Sequence, residues 1–122
     1  MIKVSELEDA QLDYWTAKAV GKKATQGRHP YGFDMCYADG KAYCPSTNWK
    51  QGGPLIEEHD IGVQPFDDIL CVMVKSKDDW FASIGDETQG VPYHAYCGAA
   101  PLIAACRCIV ASKFGEEIDA AP

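Results

Sequence analysis

Apolar residues recur at helical spacing near both ends of the chain and in short runs between them. Over residues 101–114, Ile103, Val110 and Phe114 share one face at about 100° per residue, flanked by Ala104, Cys106 and Ala111. Only Ser112 stands nearly alone on the far side, so the pattern predicts a helix apolar almost all round and therefore buried. Pro101 suits the first helical position, Lys113 the last turn and Gly115 the closing residue. Arg107 breaks the pattern, because it falls on the face of Ile103, Val110 and Phe114. A guanidinium there must reach a carboxylate, a ligand anion or water.

Near the start, Ser5-Glu6-Leu7-Glu8 has the form of a capping box, predicting a helix from there to Val20, stopped by Gly21. Leu7, Ala10, Tyr14 and Ala17 form one stripe, with Leu12, Trp15 and Ala19 beside it. Tyr14 and Trp15 suit the core or a pocket wall. Residues 22–30 are polar and punctuated by Gly and Pro, hence a loop. Residues 33–37 and 41–44 flank Ala38-Asp39-Gly40 and predict a hairpin with Asp-Gly at its turn.

Residues 43–54 hold two prolines, a glycine pair and short polar side chains, and predict an ordered loop. That loop either forms a ligand site or folds over the sheet with Trp49 as its plug. Residues 55–63 suit an edge strand broken at Pro65. The β-branched run 69–75 suits a buried strand, turned at 76–79 and partnered by 80–84. Residues 85–92 then form a loop, and 93–100 lead into the last helix. The expected class is α+β: one domain over 1–122, with a small antiparallel sheet, an N-terminal helix and a buried C-terminal helix.

At 122 residues, 47% of them hydrophobic, the chain can bury a core without staples. No apolar run suits a membrane span, and the first residues lack the pattern of a signal peptide, so a soluble protein is expected. The net charge of −7 argues against duplex nucleic acid as partner. Lys22, Lys23 and Arg28 form one small basic cluster, expected on a solvated loop. The six cysteines are expected as free, buried thiols. Cys106 and Cys108 stand about 200° apart on a helix and cannot share a metal. His94 and Cys97 without a CxxC pair make a poor zinc site, so no metal or cofactor is expected. Catalytic motifs are absent, and Cys97 beside His94 is the one conceivable nucleophile with a base.

Three stretches together resemble the NinX-like family of bacteriophage proteins: Asp13-Tyr14-Trp15; Tyr43-Cys44-Pro45-Ser46-Thr47-Asn48-Trp49 with Gln51-Gly52-Gly53-Pro54; and Pro101 to Ala105 with Val110 to Gly115. Where the family commonly shows Tyr-Ser-Pro-Ser-Thr-Asp-Trp, this chain carries Cys44 and Asn48. Asn48 removes a carboxylate and with it a metal or acid–base role at that position. The resemblance implies a phage accessory protein acting in the host bacterial cytoplasm, and leaves its chemistry open.

The residues themselves supply a binding site better than a catalytic one. Trp49, Tyr43, Tyr93 and Tyr96 would build an aromatic box if the 45–54 loop packs near the start of the last helix. Stacking a base on such a ring contributes about 1–3 kcal/mol. Ser46, Thr47 and Asn48 would bind ribose hydroxyls or base edges, and Gly52 and Gly53 would let backbone approach. The helix N-terminus after Gly98 would take a phosphate, and Arg107 a second one. An internal ion pair of Arg107 with Asp13 or Glu57 accounts for that residue equally well. By analogy with other small phage proteins, the expected function is non-enzymatic sequestration of a nucleotide-derived signal of the host, with a homo-oligomer burying more of the ligand. The alternatives are a protein–protein module that inhibits or redirects a host or phage enzyme, and a nucleotide-processing hydrolase.

Overall fold

The computed structural model describes residues 2–65 and 80–119. The 69–75 strand, the turn after it and Cys71 lie outside the described residues. The chain order is β1 (Ile2–Lys3), α1 (Asp9–Ala19), β2 (Ala24–Arg28), β3 (Asp34–Ala38), β4 (Lys41–Ala42), α2 (Trp49–Glu58), β5 (Gly62–Pro65), β6 (Trp80–Asp86), β7 (Val91–Gly98), α3 (Pro101–Phe114) and β8 (Glu117–Ile118). The class is α+β. The single small sheet expected from the pattern is instead three antiparallel ones among the described residues: β1–β8, β2–β3–β4 and β5–β6–β7.

The last helix organises the core, as its all-round apolar surface requires. Cys106, Val110 and Ala111 pack with Leu12, Trp15, Cys36 and Tyr43 in one cluster. Ala104, Ala105, Cys108 and Ile109 pack with Leu55, Ile61, Ala82 and Ile84 in another. Helix α1 lies against β2 and β3 on one side and α3 on the other, and α3 in turn carries the β5–β6–β7 sheet. Cys106 and Cys108 therefore face different cores, which is the 200° separation made visible. Trp15 meets Phe114 edge-on, with centroids 5.4 Å apart.

Helix α1 starts at Asp9, not at Ser5, and no side chain caps it. Val4–Glu6 forms a 3-10 turn instead. Val4 and Leu7 are both fully buried, and Val4 N–H donates to Glu116 O at 2.9 Å beside the β1–β8 pair. The Leu7 carbonyl, which a helix from Ser5 would give to Gln11, accepts from Arg107. The far end matches expectation. Gly21, at φ +85, lets Lys22 N–H reach Ala17 O and Gly21 N–H reach Lys18 O, closing a Schellman motif.

The Asp39-Gly40 hairpin is present, with φ values of 55° and 80° that suit a tight two-residue turn. Residues 22–30 are not all loop: β2 pairs with β3 from Ala24↔Ala38 to Arg28↔Asp34. Its sequence, Ala-Thr-Gln-Gly-Arg, gave no apolar alternation because it is a polar, mostly exposed strand. The loop expected at 85–92 is shorter than predicted, since β6 runs to Asp86 and β7 begins at Val91. The register shifts between Ile84 and Asp86, where Gly85 at φ +91 brings its backbone against the Pro92 carbonyl.

The largest correction is α2. Trp49–Glu58 is a helix in place of the second half of the expected 43–54 loop and the first residues of the expected 55–63 strand. Asn48 caps it, its Oδ1 accepting Lys50 N–H at 2.9 Å. Gly52 survives in the helix because no side chain fits there: a Cβ would overlap the Pro45 carbonyl and lie 2.8 Å from Leu102. Asp60 at φ +50 ends the helix, with Ile61 N–H returning to Ile56 O at 3.0 Å, and the strand resumes only at Gly62.

Candidate functional site

The segment between β4 and α2 is held from several sides. Gln51 reaches back from the first turn of α2, its Oε1 accepting Cys44 N–H at 2.7 Å and its Nε2 donating to Ala42 O at 3.0 Å. Ser46 N–H donates to Asp13 Oδ1 at 2.9 Å, across 33 residues of sequence. Gly52 seats α2 against Pro45 and Leu102. The three stretches singled out in the sequence are thus tied to one another pairwise, in a node that extends along α3, through Asp13–Ser46, Gly52–Leu102 and Trp15–Phe114.

Asp13 is the charged group of that node and is 4% exposed. Burial pushes its carboxyl above the ordinary 3.8, the hydroxyl and main chain of Ser46 pull it back, and Asp9 adds to the rise. The folded protein therefore holds this proton to higher pH than the unfolded chain does. Its contribution to stability falls as pH climbs from about 4 through the raised value. Asp13→Asn keeps an acceptor for Ser46 and has no charge to desolvate. The melting temperature of the variant relative to wild type is expected to rise between pH 4 and pH 7. A difference that stays flat or shrinks over that range would contradict the assignment.

Beside this node a cleft of about 720 Å³ opens between the end of α1, the β3–β4 hairpin and α2. Tyr43, Gln51, Pro54, Lys22 and Lys41 line it, with Asp39 and Glu58. Tyr43 is 7% exposed, and Lys22 Nζ stands 5.4 Å from its ring centroid. Burial pushes the Tyr43 phenol up to about 12, with smaller contributions from Cys106, Asp13, Cys36 and Glu58, so the phenol is neutral at pH 7. Lys22, expected on a solvated loop, is brought here by the Schellman turn. The signal available in the sequence was Gly21, which sets the direction of the residue after it.

The other expected site residues are divided among separate places. Ser46 is buried against Asp13. Thr47 lines an acidic cleft of about 650 Å³. Asn48 caps α2, and Trp49 stands 58% exposed in its first turn, near Gly53. Tyr93 and Tyr96 share a cleft of about 380 Å³ with Lys3, Glu116 and Glu117. Tyr43 and Trp49 are thus not brought into that cleft, and the four rings form no common box within one chain.

Arg107 borders a further opening of about 490 Å³ with Tyr96 and Cys97. Its Nε and one terminal nitrogen donate to Leu7 O at 3.0 and 2.8 Å, and the other donates to Cys97 O at 2.6 Å. The guanidinium ties the chain before α1 to the end of β7 through main-chain carbonyls. The alternatives raised from sequence were an anion, Asp13 or Glu57, and the observed carbonyl partners are none of these.

His94 and Cys97 lie three residues apart on β7, and a strand's two-residue period turns them to opposite faces. Cys36, Cys44, Cys106 and Cys108 are free thiols. Burial pushes Cys36, Cys106 and Cys108 up to about 12, and Cys108 Sγ–H donates to Ala82 O at 3.1 Å. These three are expected to resist iodoacetamide at pH 7.5 in the native protein and to react fully in denaturant, as read by peptide mapping. Native labelling of Cys106 or Cys108 would contradict the packing described. Among the described residues, no group of three His, Cys, Asp or Glu is placed to hold a metal ion.

Fold and clefts together define a small α+β domain with polar-lined clefts around a buried three-way node. The chain belongs to the NinX family: the family model described as Bacteriophage P22, NinX matches residues 3–113. It is therefore a phage accessory protein. No curated protein matches the chain. No helix among the described residues is long and apolar enough to cross a membrane.

Proposed function

We propose that this phage protein is a non-enzymatic counter-defence protein that captures a nucleotide-derived signalling molecule in the host cytoplasm. The observation that carries the reading is the 720 Å³ cleft beside the node, which sets Lys22, Lys41 and Tyr43 around a space of nucleotide size. Asp39 and Glu58 line the same cleft, so Lys22 and Lys41 would act on an anionic ligand as individual charged hydrogen-bond donors, with no net positive field behind them. Gln51 and Pro54 of α2 form the facing wall, giving a polar contact and a flat apolar one. The thiols pushed up to about 12 support packing over nucleophilic chemistry. Capture without turnover demands tight binding, and a nanomolar Kd corresponds to about −12 kcal/mol. A second copy of the chain, closing over the exposed Trp49, would bury more of the ligand.

The test is calorimetric titration with a panel of cyclic mono- and dinucleotides. At least one is expected to bind saturably, to be recovered intact after heat release, and to lose about 100-fold in affinity in the Lys22→Glu/Lys41→Glu variant. Both lysines lie at the surface, so the variant is expected to melt as wild type does. No binding across the panel, or recovery of an altered nucleotide, would overturn the reading.

A further inference from the structure

The turn joining β2 to β3 carries aromatic side chains away from both cores. Tyr31 is 87% exposed and Phe33 is 49% exposed. The His29 ring lies flat on Phe33, with centroids 4.4 Å apart and planes 8° apart, and Tyr31 sits 5.0 Å from the same imidazole. The backbone beneath is closed: His29 N–H donates to Phe33 O at 2.7 Å, Gly32 N–H to His29 O at 2.8 Å, and Tyr31 N–H to His29 Nδ1 at 3.1 Å. These rings rest on one another, so the tip is a preformed apolar projection that loses little freedom on binding.

Phe33 also walls the acidic cleft of about 650 Å³, together with Glu8, Asp9, Asp13 and Asp34. Among the described residues, no lysine or arginine lines that cleft. The nearby Arg28 pairs with Asp34 at 3.8 Å, but both side chains are more than 70% exposed, and such pairs exchange readily. An aromatic projection beside a one-signed cleft is complementary to a cation carried on a hydrophobic frame.

We propose that the β2–β3 tip and the cleft beneath it form a docking surface for a basic segment of a partner protein, an extended stretch bearing arginine or lysine. One cationic side chain enters among Glu8, Asp9 and Asp34, with Phe33 along its stem. Tyr31 and His29 lie over the neighbouring residues of the segment, and this contact outside the cleft is what calls for a peptide and not a free amine. The surface is separate from the Lys22–Lys41 cleft, so the two assignments stand or fall independently.

The test is fluorescence anisotropy with a labelled Arg–Ala repeat peptide at moderate salt, with a Glu–Ala repeat as control. The Arg–Ala peptide is expected to bind saturably and the control not to bind. Tyr31→Ser with Phe33→Ser, and separately Glu8→Gln with Asp9→Asn, are each expected to weaken binding about tenfold or more. Lys22→Glu/Lys41→Glu is expected not to weaken it. Should the paired tip variant melt early, Tyr31→Ser alone, at the most exposed of these rings, serves in its place. The proposal is overturned if the tip variants bind as wild type does. It is equally overturned if spermine displaces the peptide from wild type and tip variant alike, since attraction by charge alone would then account for binding.

Discussion

Arg107→Met is expected to destabilise the protein by about 2–4 kcal/mol, because three hydrogen bonds from one charged fork disappear. At roughly 4 °C per kcal/mol for a domain of this size, the melting temperature falls by about 8–16 °C. The loss follows from where the donors go. Leu7 and Cys97 are 100 and 10 residues from Arg107, and the guanidinium joins their carbonyls across the top of α3. Methionine keeps the aliphatic stem and removes only the fork. Arg107→Lys is expected to recover little, since a single ammonium lacks the planar spread that serves two carbonyls at once. Thermal melts of the two variants decide the matter. A lysine variant as stable as wild type would show that charge at this position is enough.

Gly52→Ala and Gly53→Ala are expected to change stability in opposite directions. Both glycines lie within α2, where alanine is intrinsically better by about 1 kcal/mol. At Gly53 the added Cβ would sit 3.7 Å from the Trp49 ring, an ordinary contact, so the substitution is expected to gain a few tenths to about 1 kcal/mol. At Gly52 the Cβ would run into the Pro45 carbonyl and stand 2.8 Å from Leu102. Pro45 is fully buried, so α2 must move off the node, and the expected loss is on the order of 2 kcal/mol net of the propensity gain. The same shift displaces Gln51 and Pro54, so affinity for the proposed nucleotide ligand is expected to fall with stability. Urea titrations of the pair are the check, and equal signs would refute the close approach at Gly52.

The helices at the two ends were legible because their signals are local and agree with one another. Pro101, Gly115 and the continuous apolar surface of α3 all point the same way, as do Gly21 and the apolar stripes of α1. What was hidden depends on partners distant in sequence. The start of α1 moved because the Leu7 carbonyl is taken by Arg107, and nothing near Ser5 announces that. Helix α2 was hidden for a related reason. Two glycines and a proline argue against a helix unless Pro45 and Leu102 lie so close that only glycine fits. Strand β2 is polar on an exposed sheet and left no alternation to detect. The candidate site divides along the same line. Tyr43 was singled out from composition and lines the proposed cleft, while Lys22 and Lys41 join it there only through a helix end and a hairpin turn.

Capture of a host nucleotide is tested most directly by native mass spectrometry of the protein purified from bacteria with active nucleotide-based defences. A small adduct is expected on wild-type protein, released intact by heat and missing from the Lys22→Glu/Lys41→Glu variant. Bare protein from the same cells, or an adduct that persists in that variant, would contradict capture at this cleft.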